Sequence, residues 1–534
     1  MYSKIFSWLR TPQSEPIPGR GTGLNDAGGY GFAVDDWTRL DRFLILGAEG
    51  GTYYVGERRL TRENAEAVIR CLAADGARVV ARIVAVSEAG RAPKNDPAIF
   101  ALAMAAGLGD EATRRLALSA LPRVCRTASH LFRFAAEVEG FRGWGRGLRR
   151  AVAEWYRTMP LDRLVLQALK YRARGEAGQR WSHRDLLRLS HPALPAEDTA
   201  RRALFDRLCR PDGSDPLPAE LAQFAAAEAL SRTAEVETAC RLIARHRLPR
   251  EAVPTELLNS PAVWRALLPD MPMTALLRAL AKLSATGVLA PRSEAEELVV
   301  ARLADRERLR RARVHPLQIL VAQATYAQGR GLRGGLSWEP SPRIVDALNR
   351  AFYESFGLVE PSGKRLLLAL DVSGSMGWGQ VAGSPLTPRV AAAAMALVTL
   401  AVERRAHVVA FSDRMVPLTI SPGQRLDDVC AMTSSLSFGA TDCAQPMLYA
   451  LERELKVDAF VVYTDSETWA GNIHPVQALD AYRRRMGLPA RLAVVGMTST
   501  GFSIADPADG GMLDVVGFDG ATPQLLTDFV SGRI

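Results

Sequence analysis

The chain has 534 residues, 48% of them hydrophobic and 23% charged, with a formal net charge of +9; this describes a soluble globular protein too long for one ordinary core, so two or three domains are expected. The longest strongly apolar run, Val390 to Val402, is interrupted by Thr399 and falls short of the ~18–20 residues that cross a bilayer. Residues 361–534 hold 14 Lys and Arg against 17 Asp and Glu, a net of −3, leaving 53 against 41, a net of +12, for residues 1–360.

In chain order, the opening "MYSKIFSWLR" has too short an apolar core for a secretory signal and no small-residue cleavage site behind it. Residues 1–24, with "PQSEPIPGRGTG", read as a flexible lead-in whose looseness extends to about residue 35. From about 37 to 355 the chain is rich in Ala, Leu and Arg at helical spacing. "ENAEAVIRCLAADG" (63–76) puts Ala65, Val68, Ile69 and Leu72 on one face and ends at a Gly suited to a helix C-cap. "DPAIFALAMAAGLG", "GRGLRRAVAEWYRTM", "TELLNS", "TALLRALAKLSATG" and "SEAEELVVARLADRERLRRARV" read as helices too. So many short helices suggest stacked pairs rather than one bundle, although no clean sequence period is present. Six cysteines (71, 125, 209, 240, 430, 443) lie far apart without a CxxC, which fits a reducing cytoplasm rather than a disulfide framework or a zinc site.

Residues 121–190 alone carry 15 Lys and Arg against 6 Asp and Glu, nearly all Arg. Arginine makes forked contacts to phosphate and stacks on bases, so the block points to a polyanionic partner.

After residue 360 the pattern alternates. "RLLLALDV", "AHVVAFS", "DAFVVYTD", "RLAVVGM" and "LDVVGF" read as strands, and most are separated by helices such as "TPRVAAAAMALVTLAVERR" and "PVQALDAYRRRMG". Continuous apolar strands alternating with helices predict a parallel sheet covered on both faces, with ligands at the carboxyl ends of the strands. Asp371 and Asp465 fall at that edge.

Asp371, Ser373 and Ser375 come from one loop, Thr441 from "FGATDC" and Asp465 from "VVYTDSET". Two carboxylates and three hydroxyls are hard donors suited to Mg²⁺, Mn²⁺ or Ca²⁺, Mg²⁺ first, and not to zinc. With two anionic ligands the ion keeps an open position for an anionic oxygen. The plain alternative is a hydroxyl-rich loop bonding its own backbone. A Ser nucleophile would need a base, but His407 sits inside a strand and His474 opens a helix. A phosphotransfer Asp would need an acid two residues on, where Ser373 stands.

The DxSxS loop with its later Thr and Asp resembles the metal-ion-dependent adhesion site of von Willebrand factor A domains. "GGYGFAVDDWTRLDRFLILGAEGGTYY", "HLFRF", "WGRGLRRAVAEWY", "WSHRDLLRLSH", "ARVHPLQILVA", "GLRGGLSW" and "GMTSTGFSIADPADGGML" together resemble the Ro, or TROVE-domain, family from about Asn25 onward. The resemblance implies an α-helical ring of HEAT-like repeats over residues 25–360. It also implies an α/β von Willebrand factor A-like domain, doubly wound and mainly parallel, over 361–534. By the same likeness, small noncoding Y RNA binds an outer basic surface, and single-stranded 3′ ends of misfolded RNAs enter the central hole. A 3′-to-5′ exoribonuclease such as polynucleotide phosphorylase is an expected partner at family level. No enzymatic activity and no membrane contact are expected.

"ALKYRARGEAGQRWSHRDLLRLSH" matches the family's Y RNA region, which implies contacts from Lys170, Arg172, Arg174, His183, Arg184 and Arg188. Lys170 and Arg174, like Arg184 and Arg188, stand four apart and share a helix face. His130, Phe132 and Phe134 suit base stacking or core packing, packing being favoured, as it is for Trp144 and Trp155. Arg146, Arg149 and Arg150 are candidates to line the hole, although the sequence does not say which face turns inward. Two other readings stand beside this one: a Mg²⁺-dependent nuclease or phosphatase built on Asp371 and Asp465, and a metal-dependent protein-adhesion module.

Overall fold

The computed structural model describes residues 10–48, 55, 57–171, 181–211, 213, 215–331, 335–356, 360–381, 385–416, 418–421, 424–436, 439–516, 518 and 522–533. Helices occupy most of the chain from Asp36 to Glu354. Asp96–Leu108, Arg146–Thr158 and Met273–Ala285 fall where the periodicity predicts them.

Three expectations are adjusted. The helix expected to end at Gly76 runs on as Glu57–Ala89 with a kink at Asp75 (φ −160°, ψ 89°), whose carboxylate caps the second half by accepting from the Arg78 amide. Gly76 is not a left-handed cap; a Cβ there would collide with the Thr113 side chain, so it serves close helix approach. "TELLNS" forms only a short 3₁₀ turn, Leu257–Asn259. The long Arg-rich helix is broken at Asp305, which caps the short helix Arg306–Arg311.

The helical array returns to its own beginning. Arg313 Nη1 donates to the Glu88 carbonyl at 3.1 Å, His315 Nε2 lies 3.1 Å from the Arg91 carbonyl, and Gln318 donates to the Pro93 carbonyl at 3.1 Å. Contacts between residues some 225 apart in sequence therefore join the end of helix Glu57–Ala89 and the loop after it to the start of helix Pro316–Ala327.

Nine strands are present among the described residues: β1 Thr22–Leu24, β2 Tyr30–Ala33, β3 Leu366–Asp371, β4 Ala406–Phe411, β5 Met415–Val416, β6 Ala459–Thr464, β7 Arg491–Gly496, β8 Phe502–Ser503 and β9 Met512–Val516. Six form one sheet in the order β5-β4-β3-β6-β7-β9, parallel except for β5. Leu366, Leu368 and Leu370 of β3 pack in the same apolar cluster as helix Pro388–Val402, while Leu367 and Ala369 join Met447 and Leu479 on the other face. Burial on both faces explains why the strands read as unbroken apolar runs. From β3 the chain adds β4 on one side and then crosses to β6 on the other, so the order reverses at β3, where open α/β sheets bind ligands.

The lead-in expectation is corrected for residues 10–24. Thr11, Gln13 and Ile17 are buried, β1 pairs with β2, and β2 pairs with β8 (Phe32 opposite Ser503). The segment is held by polar side chains and backbone pairing, which hydrophobic periodicity does not register. Arg42, 1% exposed, ties the helical part to the sheet by donating to both Asp514 carboxylate oxygens (2.7 and 2.6 Å) and to the Thr500 and Phe502 carbonyls (2.6 and 2.8 Å).

Candidate functional site

Asp371 is the last residue of β3 and Asp465 follows the end of β6, so adjacent parallel strands deliver both carboxylates to one crevice. Asp371 is fully buried; Oδ1 accepts the Ser373 amide at 2.9 Å and Oδ2 accepts the Thr464 hydroxyl at 2.7 Å. The Ser373 and Ser375 hydroxyls lie 3.1 Å apart. The Gly374 amide donates to the Gly439 carbonyl at 3.3 Å, fastening this loop to the one bearing Thr441. Thr441 is 1% exposed and its carbonyl accepts the amides of Trp469 and Ala470, four and five residues beyond Asp465. The first loop is further fixed by the buried Arg389 guanidinium, which donates to the Val372 and Ser373 carbonyls at 3.0 Å. All five residues named from the sequence thus lie buried at one end of the sheet.

Burial raises the Asp371 carboxyl above its ordinary range, and burial together with the Asp371 charge pushes Asp465 up to about 7. Two buried carboxylates that repel each other, with hydroxyls turned toward them, form a donor set that fits a hard divalent cation. Among the described residues no three His, Cys, Asp or Glu side chains converge as a metal cluster, so a cation here would rely on two carboxylates and on hydroxyl oxygens. His474, set aside above as a catalytic base, is buried with Nε2 at 2.8 Å from the Glu15 carbonyl.

The basic candidates divide. Ser182 caps helix His183–Ser190 with a reciprocal capping box to Asp185. Leu186 and Leu187 face the core while Arg184 and Arg188 are exposed and share the opposite face. Arg146, Arg149 and Arg150 are exposed on helix Arg146–Thr158, whose other face buries Leu148, Val152, Trp155 and Tyr156. None of these five arginines is ion-paired among the described residues. Lys170 ends helix Leu161–Lys170, half-buried; Arg172 and Arg174 lie outside the described residues.

His183 is corrected: it is 2% exposed and part of the core. Its Nε2 lies 3.3 Å from the Gln167 carbonyl, which can only accept, so Nδ1 takes the Tyr156 hydroxyl proton at 2.9 Å. Burial pushes this imidazole down to about 4. His183 shares the inward face with Leu186 and Leu187 at i+3 and i+4, a signal the sequence already held. His130 is half-buried and also pushed down to about 4, first by burial and then by Arg126. Phe132, Phe134 and Trp155 are core, as favoured; Trp144 packs edge-on against Trp181, ring centres 5.2 Å apart. Sequence reading missed Arg115 and His191, which with Arg149 and Arg150 border a groove of about 670 Å³; their elements meet only in the fold.

Comparison with known proteins adds the following. The family model described as the TROVE domain matches residues 23–214 and 217–325, and the one described as the Ro60 vWA domain matches residues 365–530. A protein of Deinococcus radiodurans named RNA-binding protein RO60 is 44% identical over 532 residues, 98% of each chain. A Caenorhabditis elegans protein of the same name is 37% identical over 586 residues, 96% of this chain and 90% of that one. The crystal structure of the Deinococcus radiodurans RO (RSR) protein superposes with a TM-score of 0.72, covering 94% of this chain and all of that one.

Proposed function

Because the chain belongs to the TROVE-domain Ro family, we propose that it is a non-catalytic RNA-binding scaffold acting in RNA quality control. The helical part holds structured RNA on a basic outer surface, Y RNA among it, and takes single-stranded 3′ ends of misfolded RNA into the opening of the ring. It hands such RNAs to a 3′-to-5′ exoribonuclease of the polynucleotide phosphorylase kind in the cytoplasm. The observation that carries this reading is the set of five exposed arginines on helices Arg146–Thr158 and His183–Ser190 that form no ion pair among the described residues. Surface arginines without carboxylate partners keep their full charge for phosphate. Among the described residues no helix is long and apolar enough to cross a membrane, in keeping with a partner in solution.

Asp371, Ser373, Ser375, Thr441 and Asp465 would hold a divalent cation, Mg²⁺ first and Mn²⁺ or Ca²⁺ next. Two carboxylates leave such a site uncharged overall and with room for one anionic oxygen, which supports metal-dependent gripping of a protein partner as an added function. The exposed indoles of Trp378 (57%) and Trp469 (41%) stand three residues after Ser375 and four after Asp465 and favour that second reading. Cleavage is disfavoured, because two-metal hydrolysis needs a second metal, and among the described residues no three His, Cys, Asp or Glu side chains gather to hold one. A gel-shift titration of a stem with a single-stranded 3′ tail tests the main reading: the wild type shifts the RNA intact, and the Arg184→Ala/Arg188→Ala variant shifts it weakly. Equal binding by the two proteins would contradict it.

A further inference from the structure

We infer that the N-terminal segment is a positioning part of the cation site, and that Gln13 is the residue through which it acts. The inference rests on the metal reading above and adds to it a chain segment more than 350 residues away in sequence from the nearest proposed ligand. Gln13 is 0% exposed, and its side chain bridges two loops. Nε2 donates to Asp442 Oδ1 at 2.6 Å and to the Ile473 carbonyl at 2.8 Å, while Oε1 accepts the Thr468 hydroxyl. Asp442 directly follows Thr441, and Thr468 stands three residues beyond Asp465. One amide therefore adds a side-chain bridge to the backbone bonds that join the Thr441 loop to the Asp465 loop.

Other groups reinforce the clamp. Thr468 Oγ1 accepts the Cys443 amide at 3.0 Å. Asn25 Nδ2 donates to the Thr468 carbonyl at 2.9 Å and its Oδ1 accepts the Gly29 amide at 2.8 Å, while the Ala27 amide donates to Glu467 Oε2 at 3.1 Å. Gly29 lies so close that a Cβ would overlap the Thr468 carbonyl oxygen. A buried segment that spends its polar side chains on two ligand-bearing loops fixes oxygen donors that must be placed within about 0.5 Å to hold a cation. Groups that hydrogen-bond a ligand change metal affinity by about 10- to 100-fold when removed, and Gln13, which acts through the residues beside two ligands, is expected at the lower end of that range.

The test is Mn²⁺ titration of the full-length chain, with bound ion read by electron paramagnetic resonance and stability read separately by melting in EDTA. Gln13→Ala and Thr468→Val should each weaken Mn²⁺ binding about 10-fold or more, and the double variant should lose less than the product of the two. Thr468→Ser, which keeps the hydroxyl, should bind as the wild type does. Leu479→Ala, a core truncation away from the clamp, should lower the melting temperature and leave affinity within about twofold. Wild-type affinity in folded Gln13→Ala and Thr468→Val would overturn the inference while leaving the metal reading standing. A wild type that binds no Mn²⁺ would overturn the metal reading and the inference with it. Should Gln13→Ala not fold, the contrast of Thr468→Val with Thr468→Ser decides.

Discussion

Replacing Arg184 and Arg188 with alanine removes two of six candidate phosphate contacts: Lys170, Arg146, Arg149, Arg150, Arg184 and Arg188. Three contacts to the stem, from Lys170, Arg184 and Arg188, at about −0.9 each, and three to the single-stranded tail, at about −0.7 each, give log K against log salt a slope of about −5, which is roughly a 10³-fold loss between 50 and 200 mM salt. Each contact is worth about fivefold in affinity at 0.15 M, so the double variant should bind about 30-fold more weakly, with a slope shallower by about 2. Both side chains are exposed on the face opposite Leu186 and Leu187, so the melting temperature should stay within about 1–2 °C of the wild type. Fluorescence anisotropy with a labelled stem carrying a 3′ single-stranded tail, titrated at four salt concentrations, gives affinity and slope together. An unchanged slope with unchanged melting would show that these arginines meet no phosphate, and the assignment of the basic surface would be wrong.

Arg42→Met should cost about 3–5 kcal/mol in urea unfolding, because it leaves the Asp514 carboxylate with the Ser503 hydroxyl but no counter-charge and takes the Arg42 donors from the Thr500 and Phe502 carbonyls where helix meets sheet, and proteolysis between the two parts should accelerate. His183 has a folded pKa of about 4 against an ordinary value near 6.5, so the unfolded chain binds the extra proton first as pH falls. Its contribution is complete above about pH 6.5 and is lost between there and pH 4, up to about 3 kcal/mol; His183→Gln should flatten that part of the stability–pH curve, and an equally steep curve would refute the assignment. EDTA should lower the melting temperature of wild type but not of Asp371→Ala, and a like shift in both would place the cation elsewhere. Asp371→Ala should leave RNA affinity within about twofold, since the candidate phosphate contacts are carried by other elements than the strand-end loops; a large loss would mean that the cation itself grips RNA.

The division of the chain near residue 360 and the carboxyl-edge position of Asp371 and Asp465 were readable because burial on both faces writes unbroken apolar strands, and strand ends follow from them. Helix Arg146–Thr158 was readable because Leu148, Val152, Trp155 and Tyr156 repeat at i, i+4, i+7 and i+8. The docking of residues 10–33 was not, because Gln13 and Asn25 are buried through hydrogen bonds, and buried amides leave no periodicity. His183 was misplaced for a different reason. Its helix carries charge at 184 and 188 and an inward face at 183, 186 and 187, and a histidine suits either face. The kink at Asp75 is not legible, because a Gly after a helical run signals a cap, whereas Gly76 makes room for Thr113, a residue of another helix.

The most direct test of polyanion binding without bond breaking is to incubate purified full-length chain with Mg²⁺ and end-labelled stem–tail RNA at 50 mM salt. The same samples are then run on native and denaturing gels. The expected result is a complete native shift of RNA that remains full length on the denaturing gel. No shift at that ionic strength, or shortening of the RNA that disappears with Asp371→Ala, would contradict it.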